Sequence, residues 1–99
     1  MVYQVKWSKL DISRSSILGL FDGKFINAIS KLGEEFFLGF GHDRHNNRII
    51  FIQSQTGKQY LKICETHMQT EQIASKIAYM LQENYSNDIM KYFDFKQLN

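Results

Sequence analysis

The sequence predicts an α+β fold in which a curved antiparallel meander sheet of five or six strands is packed by a long helix near the C-terminus. Residues 2–7 alternate between apolar and polar, which is the period of a half-buried strand, and short apolar runs follow through the first two thirds of the chain. Turn signals such as Asp22-Gly23 and Thr56-Gly57 separate these runs. Farther along, Ile73, Ile77 and Leu81 recur at the spacing of one helix face.

Length and composition predict one ordinary globular domain spanning residues 1–99. Hydrophobic residues make up 43% of the chain and charged residues 22%, a balance that excludes an intrinsically disordered protein. The formal net charge is +2, well below the concentrated positive charge of a dedicated duplex-binding protein. We therefore expect a compact domain with no built-in preference for duplex nucleic acid.

The cysteine content and the apolar runs predict a cytoplasmic protein that does not contact a membrane. The single cysteine, Cys64, cannot form an internal disulfide, and the first residues alternate like a strand rather than forming an apolar leader. No apolar run approaches the roughly 18 residues of a membrane span. The absence of proline and the abundance of isoleucine, lysine and asparagine indicate an AT-rich coding genome, as in some bacteria and phages.

Six segments have the pattern of strands, and they are 2–9, 16–21, 24–32, 35–42, 48–54 and 58–65. Segment 48–54 is apolar on both faces, which predicts a central position in the sheet. In segment 58–65 we expect Leu61 and Ile63 to face inward and the residues between them to face outward. Segment 24–32 also fits a short amphipathic helix ended by Gly33, so both interpretations remain open there.

Two helices are expected after the last predicted strand. The first covers 67–84 and begins at Thr66 or Thr70, each of which can accept a hydrogen bond as an N-cap. The second is short, with Ser86 or Asn87 as its N-cap. The apolar stripe of the longer helix predicts that it covers one face of the sheet.

All three histidines and the cysteine fall in two tetrapeptides, His42-Asp43-Arg44-His45 and Cys64-Glu65-Thr66-His67. In an antiparallel meander the two strands that precede them run in the same direction, so both tetrapeptides should leave the sheet at one edge, about 10 Å apart. Imidazole and thiolate are zinc ligands, and a structural site needs four. One hypothesis is therefore a zinc site formed by His42, His45, Cys64 and His67.

The same residues also support two other interpretations. The histidines can be ordinary packed or surface residues and Cys64 a small buried apolar residue. Alternatively, the residues are catalytic: Cys64 can act as a nucleophile with a neighbouring histidine as base and Asp43 as its orienting acid. In a second form of this interpretation, His42 and His45 act as acid and base on RNA with a nearby Lys or Arg44. Phosphate-loop, dinucleotide and metalloprotease motifs are absent from the sequence, so an enzyme is the less favoured class.

The favoured function is a non-catalytic binding or regulatory module that contacts another protein through a sheet edge or through the histidine-rich loop. Such a module needs no cofactor, and the same edge can pair with a second copy to form a homodimer. The expected contact residues are His42, Arg44, His45, Arg48, Tyr60 and Lys62.

The alternative is a binder of single-stranded nucleic acid, which uses cations for the phosphates and aromatic rings for the bases. The expected phosphate contacts are Lys6, Lys9, Lys24, Lys31, Lys58 and Lys62. Trp7 and Tyr60 would supply the stacking surface.

Overall fold

A computed structural model describes residues 4–9, 22–65 and 69–98. Within these ranges the elements are β1 (Ser8–Lys9), β2 (Asp22–Ile29), β3 (Glu35–His42), β4 (Arg48–Ser54), β5 (Gln59–Cys64), α1 (Thr70–Glu83), α2 (Asn87–Tyr92) and β6 (Lys96–Gln97). The predicted α+β fold, with a long helix after the sheet and a second short helix, is confirmed. The predicted strand 16–21 lies outside the described residues.

The sheet is an antiparallel meander in which the strands lie side by side in the order β1-β2-β3-β4-β5-β6. The central position predicted for segment 48–54 is confirmed, because β4 lies between β3 and β5. Strand β6 was not predicted. It contributes two residues that follow a helix, too few to show a period, and it adds to the outer edge of β5 through the pair Tyr60↔Gln97.

The ambiguous segment 24–32 is a strand, but β2 begins at Asp22 and ends at Ile29. The turn expected at Asp22-Gly23 is therefore wrong, because both residues pair with β3. A tight turn follows, in which the hydroxyl of Ser30 donates to the carboxylate of Glu34 and Gly33 adopts a φ of 95°. These interactions end the strand before residue 32, because a backbone that forms a turn cannot continue the hydrogen bonds between β2 and β3.

One face of the sheet packs against α1 and forms the main core. Leu38, Ile50 and Ile52 are completely buried there. The helix contributes Ala74, Ile77, Ala78 and Leu81, all of which are also completely buried. The predicted apolar stripe of the helix therefore covers the sheet, and we call this side of the sheet the core face.

The predicted orientation of β5 is wrong. Tyr60 and Cys64 lie on the core face and are each 5% exposed, whereas Ile63 is 62% exposed on the other face. Register explains the difference, because Tyr60 lies opposite the buried Ile52 of β4. Both faces of β5 carry apolar residues, so alternation alone could not decide which side packs inward.

Helix α1 runs along the sheet from one end of β2 to the other. Lys24 lies 3.5 Å from the Glu71 carboxylate in the first turn of the helix, and Lys31 lies 2.6 Å from the Glu83 carboxylate at its end. Thr70 is the first helical residue rather than a cap, and Thr66 lies outside the described residues. No described helix is long and apolar enough to cross a membrane.

The short helix α2 begins as predicted. Ser86 is its N-cap, and its hydroxyl accepts a hydrogen bond from the backbone N–H of Asp88. The helix is anchored to the sheet by Tyr60, whose hydroxyl donates to the side-chain carbonyl of Asn87 at 3.2 Å.

Candidate functional site at the rim of the sheet

Strands β3 and β5 end at the same edge of the sheet, where β4 begins between them. His42 pairs with Arg48, and Arg48 pairs with Cys64, so the three residues form one row across the ends of the strands. Paired residues in antiparallel strands point to the same face, and two strand spacings separate the outer pair by about 10 Å. The prediction that the two segments reach one edge of the sheet is confirmed for His42 and Cys64. We call this edge, where β3 and β5 end, the rim.

The rim geometry gives the zinc hypothesis no support among the described residues. The cationic Arg48 stands in the row between His42 and Cys64, where it would repel a metal ion. The fourth ligand of the hypothesis, His67, lies outside the described ranges. Within those ranges, no three His, Cys, Asp or Glu residues cluster in a way that could hold a metal ion.

Cys64 is buried in the core and is not activated as a nucleophile. It is a free cysteine that is 5% exposed. Burial raises the pKa of the Cys64 thiol, and the opposing effects of Lys62, the Thr70 hydroxyl and Arg48 are smaller. Because the thiolate is the nucleophile, a buried thiol with a raised pKa is unsuited to covalent catalysis.

The turn that connects β3 and β4 is organised by Asp43. One oxygen of its carboxylate accepts hydrogen bonds from the backbone N–H groups of His45 and Asn47, both at 2.9 Å. Asn46 adopts a φ of 63°, which lets the chain reverse. Arg44 and His45, two of the predicted contact residues, are exposed on this turn.

Asp43→Ala should therefore lower the free energy of unfolding at neutral pH by about 1 kcal/mol, the usual net value of such hydrogen bonds. Burial alone would raise the pKa of Asp43, but the hydrogen bonds from Asn47 and His45 outweigh it and hold the pKa below its ordinary value. The ionised carboxylate thus stabilises the fold above about pH 4, and this contribution is lost as the pH falls through the lowered folded-state pKa.

Urea unfolding of wild type and variant between pH 7 and pH 2.5 measures this difference. Asp43→Asn is the matched variant, because its amide oxygen can still accept both backbone bonds but does not titrate. We expect it to retain most of the stability at pH 7 and to lose the acid dependence of this site. A gap between wild type and Asp43→Ala that is constant over the whole pH range would contradict the assignment.

A cleft of about 710 Å³ opens at the rim between the sheet and the first turn of α1. We call it the rim cleft. Lys9 and Lys24, which are paired across β1 and β2, lie at one side, and His42 and Arg48, paired across β3 and β4, lie at the other. The buried Phe40 lies between them, and residues 69–72, at the start of α1, close the cleft.

The rim cleft is suited to negatively charged groups. Among its described residues, the basic side chains are Lys9, Lys24 and Arg48, and Glu71 is the single carboxylate. The N-terminal end of α1 adds the positive end of a helix dipole, and Gln69 makes no side-chain capping bond to its N–H groups. Three cations and one carboxylate thus line the same cleft.

The remaining predicted contact residues lie in different environments. Tyr60 cannot contact a partner, because its ring is buried in the core and its hydroxyl bonds to Asn87. This corrects the sequence-based prediction, which had placed Tyr60 on the outer face. Lys62 is half-buried on the core face, opposite Ile50.

The residues predicted to bind single-stranded nucleic acid do not form one track. Trp7 packs edge-to-face on Phe40, with ring centroids 4.7 Å apart, and is half-buried. Lys31 and Lys58 follow β2 and β4 at the end of the sheet opposite the rim, whereas Lys6 is exposed just before β1. Only Lys9 and Lys24 of this set line the rim cleft.

Sequence reasoning missed the contribution of α1 to the site. Gln69, Thr70 and Glu71 line the cleft but were not among the predicted site residues. Chain direction could have found them, because α1 begins soon after β5 returns to the rim. The pairing of Lys9 with Lys24 could not be found in this way, since it depends on the register of two strands that are distant in sequence.

No protein-family model, curated protein or solved structure matches this chain. A function can therefore be proposed only from the geometry and charge of the described residues.

Proposed function

We propose that this chain is a non-catalytic binding module that holds an acidic segment of another protein in the rim cleft. The observation that carries the proposal is the gathering of Lys9, Lys24 and Arg48 around one cleft that the N-terminal end of α1 closes. Carboxylates are attracted both by these cations and by the positive end of the helix dipole.

An acidic protein segment fits this site better than single-stranded nucleic acid. Proteins bind single-stranded nucleic acid with cations that follow its backbone and with exposed aromatic rings that stack on its bases. Here Tyr60 is buried, Trp7 is packed on Phe40, and Lys31 lies at the far end of the sheet, paired with Glu83. A short cluster of carboxylates needs only the cations of the cleft itself.

A binding role without catalysis is supported by the chemistry at the rim. The thiol of Cys64 is buried and its pKa is raised by that burial. The exposed Arg44 and His45 extend the polar surface of the cleft onto the neighbouring turn, where a bound segment could continue. The proposal includes a cytoplasmic location, which the free thiol of Cys64 supports.

Fluorescence anisotropy with a labelled octaglutamate peptide tests the proposal. We expect saturable binding that weakens as salt is added, because the contacts are between charges. Lys9→Gln and Arg48→Gln should each weaken binding by about 3- to 10-fold, the effect of removing one partly exposed contact charge. Lys58→Gln is the matched control, since it removes the same charge at the opposite end of the sheet, and it should leave the affinity nearly unchanged.

Three outcomes would overturn the proposal. The first is the absence of octaglutamate binding at low salt. The second is an equal loss of affinity in Lys58→Gln and in the two cleft variants, which would mean that net charge rather than the cleft attracts the peptide. The third is tighter binding of a labelled single-stranded oligonucleotide than of octaglutamate under the same conditions.

A further inference from the structure

We infer that Glu71 is an internal competitor that occupies the cation-lined end of the rim cleft until an acidic ligand displaces it. This inference rests on the proposed function. Glu71 lies in the first turn of α1 and lines the cleft, and its Oε1 is 3.5 Å from the Nζ of Lys24. Its carboxylate therefore takes one of the positions that a carboxylate of the ligand would need.

The ion pair between Lys24 and Glu71 is weak enough to break when a ligand binds. The side chains of Lys24 and Glu71 are 52% and 56% exposed, so water screens their attraction. Ion pairs this exposed contribute little to stability. Glu71 can thus swing away from Lys24 without disturbing the core, and the cost of moving it is small.

Competition nevertheless lowers the affinity for a ligand. A carboxylate tethered beside its cation has a high effective concentration, and an incoming group must replace it before it gains the same contact. A ligand that touched Lys24 alone would exchange one carboxylate for another with little gain. A ligand with several adjacent acidic groups is also attracted by the charges of Lys9 and Arg48, which line the same cleft, so it is favoured over a single carboxylate.

The same helix provides a control pair away from the cleft. Glu83 ends α1, and its carboxylate lies 2.6 Å from Lys31. The side chains of Lys31 and Glu83 are 69% and 52% exposed, so this pair is also open to water. Glu71→Gln and Glu83→Gln therefore change the net charge equally, in similar settings, at opposite ends of one helix.

Octaglutamate anisotropy titrations of wild type, Glu71→Gln and Glu83→Gln test the inference. Glu71→Gln should bind about 3-fold more tightly than wild type, which corresponds to the removal of one exposed competing ion pair. Glu83→Gln should stay close to wild type, because the carboxylate it removes lies at the far end of the helix.

The outcomes separate the two proposals. If octaglutamate binds none of the three proteins, the proposed function is overturned, and the role of Glu71 with it. If wild type binds and Glu71→Gln binds no more tightly than Glu83→Gln, the rim cleft remains a binding site and the competitor role of Glu71 is overturned. If both variants gain affinity equally, net charge explains the gain and the inference is also overturned.

Discussion

Gly23→Ala is expected to lower the free energy of unfolding by about 3 kcal/mol or more, from backbone strain and a clash that has no easy relief. Gly23 adopts a φ of 154°, and a Cβ added there would lie 2.2 Å from the carbonyl oxygen of Phe40 and 3.2 Å from the Cα of Gly41. These are backbone atoms of the paired strand β3, so no side chain can rotate away. Strands β2 and β3 would have to separate at the rim.

Gly57→Ala is the matched control for this prediction. Gly57 adopts a φ of 89°, but a Cβ added there meets no atom within 4 Å. Its cost should be only the strain of the left-handed backbone, about 1 to 2 kcal/mol. Urea unfolding followed by far-UV circular dichroism measures both variants, and equal losses in the two would contradict the close approach of β2 and β3.

Strands β3 and β4 were predicted with the bounds that the structure shows. Their limits are set by local chemistry that is visible in the sequence. Gly33 adopts a positive φ before β3, and the turn organised by Asp43 separates the two strands. Where a turn is encoded by residues with special backbone preferences, the strand on either side can be located from sequence alone.

The predictions failed for β5 and β6, whose orientation and position depend on packing between distant parts of the chain. The inward face of β5 depends on which row of β4 it meets, and both rows are apolar, so Tyr60 and Cys64 were assigned to the wrong side. Strand β6 forms because the chain after α2 returns to the open edge of β5. Neither event leaves a periodic signal in the residues concerned, since each is settled by contacts between distant parts of the chain.

Only part of the candidate site was predicted, because the rest also depends on contacts between distant parts of the chain. The rim that joins His42, Arg48 and Cys64 follows from counting chain reversals, which needs only the number of hairpins. The rim cleft needs more, because it requires both the register of Lys9 with Lys24 and the placement of α1 over the core face. Charge composition gave no hint of it, since cations of the cleft are far apart in the sequence.

Ile77→Ala is expected to lower the free energy of unfolding by about 3 to 4 kcal/mol, within the range for deleting a large buried side chain. Ile77 is completely buried where α1 packs on the core face, so its removal loses apolar contact and leaves a cavity. Ile77→Val removes one methylene and should cost about 1 kcal/mol. Lys76→Ala, at the neighbouring exposed position of the same helix, should change stability by less than about 0.5 kcal/mol.

The peptide affinity of Ile77→Ala is the more informative measurement, because it separates the stability of the fold from the chemistry of the rim cleft. A domain with a typical stability of about 5 to 15 kcal/mol remains folded at low temperature after this loss. Ile77 lies in the middle of α1, whereas the cleft is closed by residues 69–72 at its start. Octaglutamate binding at 10 °C should therefore stay within about 2-fold of wild type, since distant substitutions are close to additive. A large loss of affinity in this folded variant would mean that binding depends on how α1 packs against the core face and not on the cations of the cleft.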